Sequence, residues 1–547
     1  AWGHGAMVAA ANPHAVSAAM EMLEQGGHAV DAAIAAHAVL GLVEPQSSGI
    51  GGGGFMLVYE RAADSLVFHD GREQARAGAT VDMFMRDGEV MNFYEAWQSG
   101  LAVGAPGAIA LYETAHKEHG NLDWAELFQP AIRLAEQGFI VSPRLANFLP
   151  RLTKVSLLDD NPQSAAYFYP NGEALKAGDL RKNPDYAETL RRVAQEGSSA
   201  FYQGEIAQEI VSAVQMQPNP GLLTTEDLAN YRTVRRDAIC GNFREDKICT
   251  TTPPSSGGAQ IMIAGLYDHL SADAENQADK VAAFIDAQRL AYADRDHFFG
   301  DPDAIDIPLQ DLLDPAYLQH RAGQRVAPAA TPQHGDPAAF FNRQAALNEW
   351  AADTTEEVPG TTHLSIIDGE GNAVAMTATV EAPFGSSRLV GGFLLNNQMT
   401  DFAREVPKDG RPVANAIAPG RRPRSSMSPT MVFDAEGELR MITGSPGGNS
   451  IPAYVAKSIV GVLDWNLSAQ QAVDLPNLVA RGEKVRVEVV DGVGQDIADD
   501  LKTRGYNVQE REGENSGLHV IVVNPDGLDG AADKRREGTV DRIPAGA

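Results

Sequence analysis

The sequence predicts a large layered α/β protein, built either as one unit or as two domains. Its 547 residues exceed an ordinary single domain and are enough to bury a sizeable core. Helical periodicity in the first 43 residues gives way to strand-like alternation, and a mostly helical stretch then runs from about residue 107 to residue 350. Beyond residue 360 apolar strands return, interleaved with helices.

The opening AWGHGAMVAAANPHAVSAAM has neither an initiator Met nor a basic-then-apolar leader, as expected of a trimmed chain. Residues 14 to 43 read as two Ala-rich helices, HAVSAAMEMLEQ and AVDAAIAAHAVLGLV, broken at Gly26-Gly27 and apolar enough to be buried. The run GIGGGG, Gly49 to Gly54, leads into FMLVYERAADSLVFHDGRE, two strands around a turn at Ala63-Asp64. That run lacks GxGxxG spacing and precedes a strand, which favours close backbone packing over nucleotide binding. Amphipathic stretches such as DWAELFQPAIRLAEQ, DYAETLRRVAQE, GEIAQEIVSAVQM and KVAAFIDAQRLAYADRDHFF follow, punctuated by the loop TTPPSSGGAQ. Residues 328 to 360 are polar and irregular, as an exposed linker or processing loop would be. After them THLSIID, NAVAMTATV, PTMVFD and LRMITG read as strands, and IPAYVAKSIVGVL and SAQQAVDLPN as helices. EKVRVEVV, QDIADDLKTRG and GLHVIVVNP complete the chain, with no internal repeat.

Composition narrows the partners. Forty-four basic against seventy-three acidic residues give a net charge of −29, spread along the chain as a solvated acidic surface. Such a surface repels nucleic acid and anionic membranes, so neither is an expected partner and a small molecule or peptide is. No apolar run approaches the ~20 residues that span a bilayer, so a soluble protein without membrane insertion is expected. The two cysteines, Cys240 and Cys249, flank a polar turn in AICGNFREDKICTTT, where they form either a cross-strand disulfide or two buried thiols.

The chemistry concentrates around PGTTHLSIIDGEGNAVAMTATVEAPFG, which begins at Pro359. A three-residue loop of Gly369, Glu370 and Gly371 sets Leu364 opposite Met376, Ile366 opposite Val374 and Thr362 opposite Ala378, so the apolar residues share one face. The same register sets Thr361 opposite Thr379 on the other face, with His363 opposite Thr377 and Glu381 one step further along. Directly opposed Cβ atoms lie ~4.5–5.5 Å apart, close enough for one hydroxyl to bond another. Two β-favouring threonines opening a strand are the plain reading of this stretch alone. The chemical reading is a cut between Gly360 and Thr361, because the new α-amine, with a pKa near ~8, would deprotonate its own hydroxyl. Gly360 leaves room for that hydroxyl to attack the preceding peptide bond and make the cut itself.

LRMITGSPGGNSIPAYVAKSIVGVL reads as a strand, a turn through Gly447-Gly448 and a helix, which presents backbone N–H groups suited to an oxyanion; the lysine and hydroxyl of a P-loop are absent. NNQMTDF (Asn396–Phe402), RPRSSMSPT (Arg422–Thr430) and Arg72 in HDGRE add amide, carboxylate, hydroxyl and guanidinium groups able to hold a zwitterion.

These segments, with GGHAVDAAIAA, GGGGFMLVYE, DGREQA, PGAIALYE, PPSSGG, TTH, LLNNQMTDF, SSMSPT, TGSPGG and GAADKRREG, resemble the γ-glutamyltranspeptidase (γ-glutamyltransferase) family over nearly the whole chain. The resemblance implies a four-layer αββα sandwich of the N-terminal nucleophile hydrolase type. It also implies a precursor that cleaves itself before Thr361, giving a large subunit (1–360) and a small one (361–547) that stay together as a heterodimer. Thr361 would be nucleophile and amine base, Thr379 its hydrogen-bonding partner, and Gly447 and Gly448 the oxyanion hole. Arg72, Ser425 and Ser426 match the family's grip on the glutamyl α-carboxylate, and Gln398 and Asp401 its α-amino site. The expected donors are glutathione and glutamine-like amides, and the acceptor is water, an amino acid or a peptide. Family members are commonly exported, which implies a periplasmic or secreted protein.

Two positions depart from the family pattern. Glu381 stands where members commonly carry an asparagine, and would hold an ammonium more strongly while repelling a second carboxylate. The segment FAREVPKDGRPVANAIAPGRRPR is shorter than in lid-bearing members and has no tyrosine, which admits water and tilts the chemistry toward hydrolysis. The alternatives are an acylase for glutaryl cephalosporins and an uncleaved, non-catalytic γ-glutamyl-binding homologue. No metal-ligand spacing stands out among the thirteen histidines, and the chemistry needs no cofactor.

Overall fold

The computed structural model describes residues 2–344 and 350–546; Ala1 of the opening segment and residues 345–349 of the polar stretch lie outside the described residues. Strand β1 (Ala6–Ala10) runs into helix α1 (Pro13–Glu24), where Asn12 accepts from the His14 N–H and Pro13 supplies a preset φ. Helix α2 (Ala29–Val43) starts where His28 Nδ1 accepts from the Val30 N–H and Asp31 accepts from the His28 N–H. All of α2 is buried, as its nearly unbroken apolar sequence requires.

Strands β2 (Gly53–Glu60) and β3 (Ser65–Gly71) form the predicted hairpin, and helix α3 (Ala108–His119) packs on them. The stretch read as helical also carries β4 (Val234–Asp237), β5 (Ile239–Phe243) and β6 (Asp246–Thr250) before helices α4 (Gly257–Leu270) and α5 (Gln277–Phe298). Strands β7 (Thr361–Ile367), β8 (Ala373–Thr379), β9 (Thr430–Phe433) and β10 (Leu439–Thr443) follow as predicted. Helices α6 (Ile451–Leu463) and α7 (Ala469–Asp474) precede β11 (His519–Asn524), β12 (Gly527–Ala532) and β13 (Thr539–Ile543).

Two sheets stack at the centre. The first has the order β13-β1-β7-β8-β2-β3-β4 and the second β12-β11-β10-β9-β6-β5. Side chains alternate across the first sheet: Val8, Met56, Val58, Leu364, Ile366, Val374 and Met376 pack on α1 and α2. Met7, Phe55, Leu57, Phe68 and Ala375 point the other way, into the core shared with the second sheet. Helices α4, α6 and α7 cover the far face of that sheet, with α5 packed on α4. The architecture is the expected αββα sandwich. Burial on both faces also explains why β1, reading only AMVAA, escapes a search for alternating polarity. No described helix is long and apolar enough to cross a membrane.

Cys240 and Cys249 are directly opposed on β5 and β6 and joined by a disulfide, which resolves the alternatives left open by their spacing. The bridge closes a loop of sequence separation 9 at the edge of the second sheet. Replacing both residues with Ser is expected to cost about 2–3 kcal/mol in denaturant unfolding, from loop-closure entropy alone. A midpoint unchanged from that of the parent protein would show that the bridge contributes nothing.

Candidate active site

Strands β7 and β8 meet in the register that the apolar pattern predicts, with Thr361 opposite Thr379, His363 opposite Thr377 and Leu364 opposite Met376. The Asp368 N–H still bonds the Asn372 carbonyl, which leaves Gly369–Gly371 as the loop. The Thr361 hydroxyl donates to the Thr379 hydroxyl at 3.1 Å. Thr379 in turn donates to the Gly360 carbonyl at 2.6 Å and accepts from the Glu381 N–H at 2.8 Å. One hydroxyl therefore touches both the Thr361 side chain and the carbonyl that side chain would attack. A Cβ on Gly360 would lie 2.1 Å from the Glu381 carbonyl oxygen, so the position has no room for a larger residue.

His363 is not placed to act as a base. Burial holds its pKa well below the ordinary value, and its two ring nitrogens are taken by Thr377 and Ser365 at 2.8 and 2.9 Å. The third member of the Thr-Thr-His triplet thus braces the space between the sheets.

The predicted linker is not exposed at its end. Ala351, Asp353, Thr355 and Gly360 are buried, because this segment threads through the site. Asp353 pairs with Arg424 at 3.0 Å, and the Glu357 carboxylate accepts from Arg295 Nη2 at 2.9 Å and from the Ser426 N–H at 3.0 Å. Burial alone would raise the Glu357 pKa, but Arg295 and Arg424 hold it below the ordinary carboxylate value. One residue on, the Val358 N–H donates to Glu381 Oε1 at 2.8 Å. A carboxylate and an N–H donor thus lie side by side in the pocket, supplied by the chain itself.

Around them sit the other residues singled out in the sequence. Asp401 Oδ2 accepts from Arg72 Nη2 at 2.7 Å and from Gln398 Nε2 at 2.5 Å. Arg72 also donates to the carbonyls of Pro423 and Arg424, which ties it to the Ser425-Ser426 turn. Ser426 Oγ accepts from Arg295 at 2.5 Å, while Ser425 Oγ accepts from the Met427 N–H at 3.2 Å. Glu381 adopts φ +79, a left-handed backbone rare for a non-glycine residue, and Asn397 holds its Oε2 at 2.7 Å. Burial and the Asp401 carboxylate push the Glu381 pKa well up; burial and Glu357 push Asp401 to about 6. Gln398 Oε1 is buried without a hydrogen-bond partner among the described residues.

Gly447 and Gly448 form the predicted turn between β10 and α6, with φ +137 and +58. A Cβ on Gly448 would lie 2.4 Å from the Glu357 carbonyl oxygen, so the turn packs directly on the threaded segment. Neither glycine N–H has a hydrogen-bond partner among the described residues. A cleft of about 270 Å³ opens beside it, lined by residues 356–359, Gly447, Asn449, Ser450, Arg486 and Arg511.

The structure therefore gathers Thr361, Thr379, Glu381, Gln398, Asp401, Arg72, Ser426, Gly447 and Gly448 in one buried cluster. It also adds residues that sequence reasoning missed. Arg295 lies on α5 among residues that read as an ordinary amphipathic helix. Glu357 lies in the presumed linker. Arg536, which donates to the Thr361 carbonyl at 3.1 Å, lies within the quoted motif GAADKRREG, the one signal that pointed toward it.

Known proteins resemble this chain along almost its whole length. The family model described as Gamma-glutamyltranspeptidase matches residues 15–543. The "Glutathione hydrolase proenzyme" of Escherichia coli (strain K12) is 36% identical over 555 residues, covering 99% of this chain and 91% of that protein. The "Acylase ACY 1 proenzyme" of Pseudomonas sp. (strain V22) is 34% identical over 564 residues, covering 100% and 95% respectively. Among solved structures, cephalosporin acylase from Bacillus halodurans superposes with a TM-score of 0.85 at 27% identity, covering 99% of this chain and 96% of that one. With the fold, the ordered motifs and a match along almost its whole length, the chain belongs to the gamma-glutamyltranspeptidase family.

Proposed function

We propose that this protein is a γ-glutamyl hydrolase and transpeptidase that cuts itself before Thr361 and then cleaves γ-glutamyl amides such as glutathione. The observation that carries the choice of donor is the buried Gln398 Oε1, which has no donor among the described residues, beside Asp401 and Glu381, two buried carboxyls that share a side-chain hydrogen bond. A buried acceptor without a donor costs about 1–3 kcal/mol, and an α-ammonium brings three donors. A glutaryl group brings none, which argues against the acylase reading despite the similarity to proteins of that name. The Glu357 carboxylate and Val358 N–H in the uncut chain support the same chemistry, since they fill the pocket with the two kinds of group that a glutamyl head carries.

In this reading the Thr361 hydroxyl attacks the Gly360 carbonyl carbon, whose oxygen Thr379 polarises. The C–N bond breaks, the acyl group passes to Oγ, and water hydrolyses the ester to leave a Gly360 carboxylate and a free Thr361 amine. The segment ending at Gly360 then clears the pocket. For each donor, that amine takes the hydroxyl proton as Oγ attacks the γ-carbonyl, and returns it to the departing amine. The N–H groups of Gly447 and Gly448 receive the oxyanion. Water, or an acceptor amine, resolves the ester. The short segment over the pocket, residues 402–424, favours water. An exported location fits the Cys240–Cys249 disulfide, because such bonds persist in oxidising compartments.

Release of p-nitroaniline from γ-glutamyl-p-nitroanilide, with and without glycylglycine, tests the activity and its balance. Turnover of the glutaryl analogue at an equal or higher kcat/KM would overturn the donor assignment. A single uncut chain on a denaturing gel, without turnover, would instead favour a non-catalytic binding protein. Arg72→Lys is expected to raise KM for the glutamyl donor by about tenfold, because one ammonium cannot hold Asp401 and two backbone carbonyls as the guanidinium fork does. An unchanged KM would remove Arg72 from the donor site.

A further inference from the structure

A second cluster of chemistry-bearing residues lies outside this site, where the C-terminal end of α3 meets β3. His69 on β3 and His119, the last residue of α3, are buried and face each other with their Nε2 atoms 2.9 Å apart. The Glu118 carboxylate closes a triangle, with one oxygen 3.7 Å from His69 Nε2 and the other 4.0 Å from His119 Nε2. Among the described residues this is the one group of three or more His, Cys, Asp or Glu side chains whose ligand atoms converge within 4.8 Å. The sequence separation of 49 between His69 and Glu118 hides it from any search for short ligand spacings, which is why none stood out in the sequence.

We propose that His69, Glu118 and His119 bind one zinc-class divalent cation, with the remaining position open to water. Tetrahedral zinc at 2.0–2.1 Å from its ligands has donor-to-donor edges of about 3.4 Å, and the separations observed here bracket that value. The ring orientation also suits a metal. Glu60 Oε1 accepts from His119 Nδ1 at 2.6 Å, an assignment that leaves the His119 Nε2 lone pair facing His69, whose own proton moves to its buried, unpartnered Nδ1 when both Nε2 atoms ligate. This is the carboxylate–histidine arrangement that orients and strengthens metal-bound imidazole. His28 Nε2 lies 3.1 Å from the same Glu60 oxygen, without the geometry of a hydrogen bond.

Burial favours the neutral, ligating form of both rings. The carbonyl end of α3 and the chain's net charge of −29 both favour a cation here. Two imidazole ligands select a zinc-class ion over Mg²⁺ or Ca²⁺, which take oxygen donors. Both Glu118 oxygens also accept from Arg235 Nε, at 3.0 and 3.1 Å, so binding the ion draws one of them away from that partner and leaves the other on Arg235. Such an ion would pin α3 to the first sheet, away from Thr361 and independent of the proposed donor chemistry.

The test is a Zn²⁺ titration of the chelator-treated, desalted full-length protein, followed by competition with a chromophoric chelator. About one equivalent should bind at micromolar or lower Kd. Glu60→Gln should weaken it by about 10–100-fold without removing a ligand, and the His69→Gln/His119→Gln pair should abolish it. Zinc-edge X-ray absorption of the loaded parent protein should show a nitrogen and oxygen shell at about 2.0–2.1 Å with imidazole scattering. The absorption readout stands even if the double variant folds poorly. Absence of stoichiometric binding, a shell without imidazole, or a Kd unmoved in the folded variants would overturn the proposal and leave a hydrogen-bonded histidine pair.

Discussion

Thr361→Ala leaves one uncut chain of 58.3 kDa on a denaturing gel and reduces γ-glutamyl transfer by at least about a thousandfold. Both effects have one cause. The hydroxyl that would attack the Gly360 carbonyl is the hydroxyl that would attack the donor, and the variant removes it while Thr379 still donates to the same carbonyl. The uncut chain also keeps Glu357 on Arg295 and Ser426, so the pocket stays filled. Thr361→Ser retains the oxygen and should still be cut, more slowly, because the smaller side chain is held less firmly against Thr379. Two bands from Thr361→Ala, corresponding to residues 1–360 and 361–547, would sink the assignment of the nucleophile.

Glu381→Gln lowers kcat/KM for a γ-glutamyl donor relative to its glutaryl counterpart by about 5–150-fold, the equivalent of about 1–3 kcal/mol of lost charge-assisted bonding to the ammonium. The glutaryl donor lacks the ammonium and serves as the internal control. An unchanged ratio would mean that Glu381 does not touch the donor's amine. The pH dependence carries the same signature. Burial raises both pKa values in the folded chain, with the Asp401 carboxylate adding to the rise at Glu381 and Glu357 adding to the rise at Asp401, which reaches about 6. Both groups therefore bind protons that the unfolded chain would release. Their contribution to stability is present below the unfolded carboxylate pKa of about 4; that of Asp401 is lost as pH rises through about 6, and that of Glu381 as pH rises through its own raised value. Donor binding runs the other way, since an ammonium favours the ionised pair. Burial and the Asp401 carboxylate still hold the Glu381 pKa up once Glu357 has left the pocket, so the ratio of glutamyl to glutaryl kcat/KM should climb as pH rises past the ordinary carboxylate pKa of about 4 in the parent enzyme and climb less in Glu381→Gln. The Thr361 amine must be neutral for either donor, so it cancels from the ratio.

The register of β7 and β8 was determined by the sequence alone. Period-two alternation and a glycine-bounded loop leave one pairing that keeps Leu364, Ile366, Val374 and Met376 on a common face, and that pairing places Thr361 against Thr379 whatever surrounds them. The ordered motifs likewise reached the family and most of the cluster, because each keeps its functional groups within a few residues of a turn or a strand end. Other features were decided only by the tertiary structure. Strand β1 lies between β13 and β7, and five small or apolar residues buried on both faces carry no alternation to read. Cys240 and Cys249 became a bonded pair only when β5 and β6 paired in a register that sets them opposite each other. Arg295 reaches Glu357 across 62 residues, and His69 reaches His119 across 50, because the packing of α5 and α3 on the sheets brings them together. Local hydrogen bonding and alternation act between near neighbours and leave a mark in the sequence. Contacts across such separations are set by how whole elements pack, and no short stretch of sequence carries their signature.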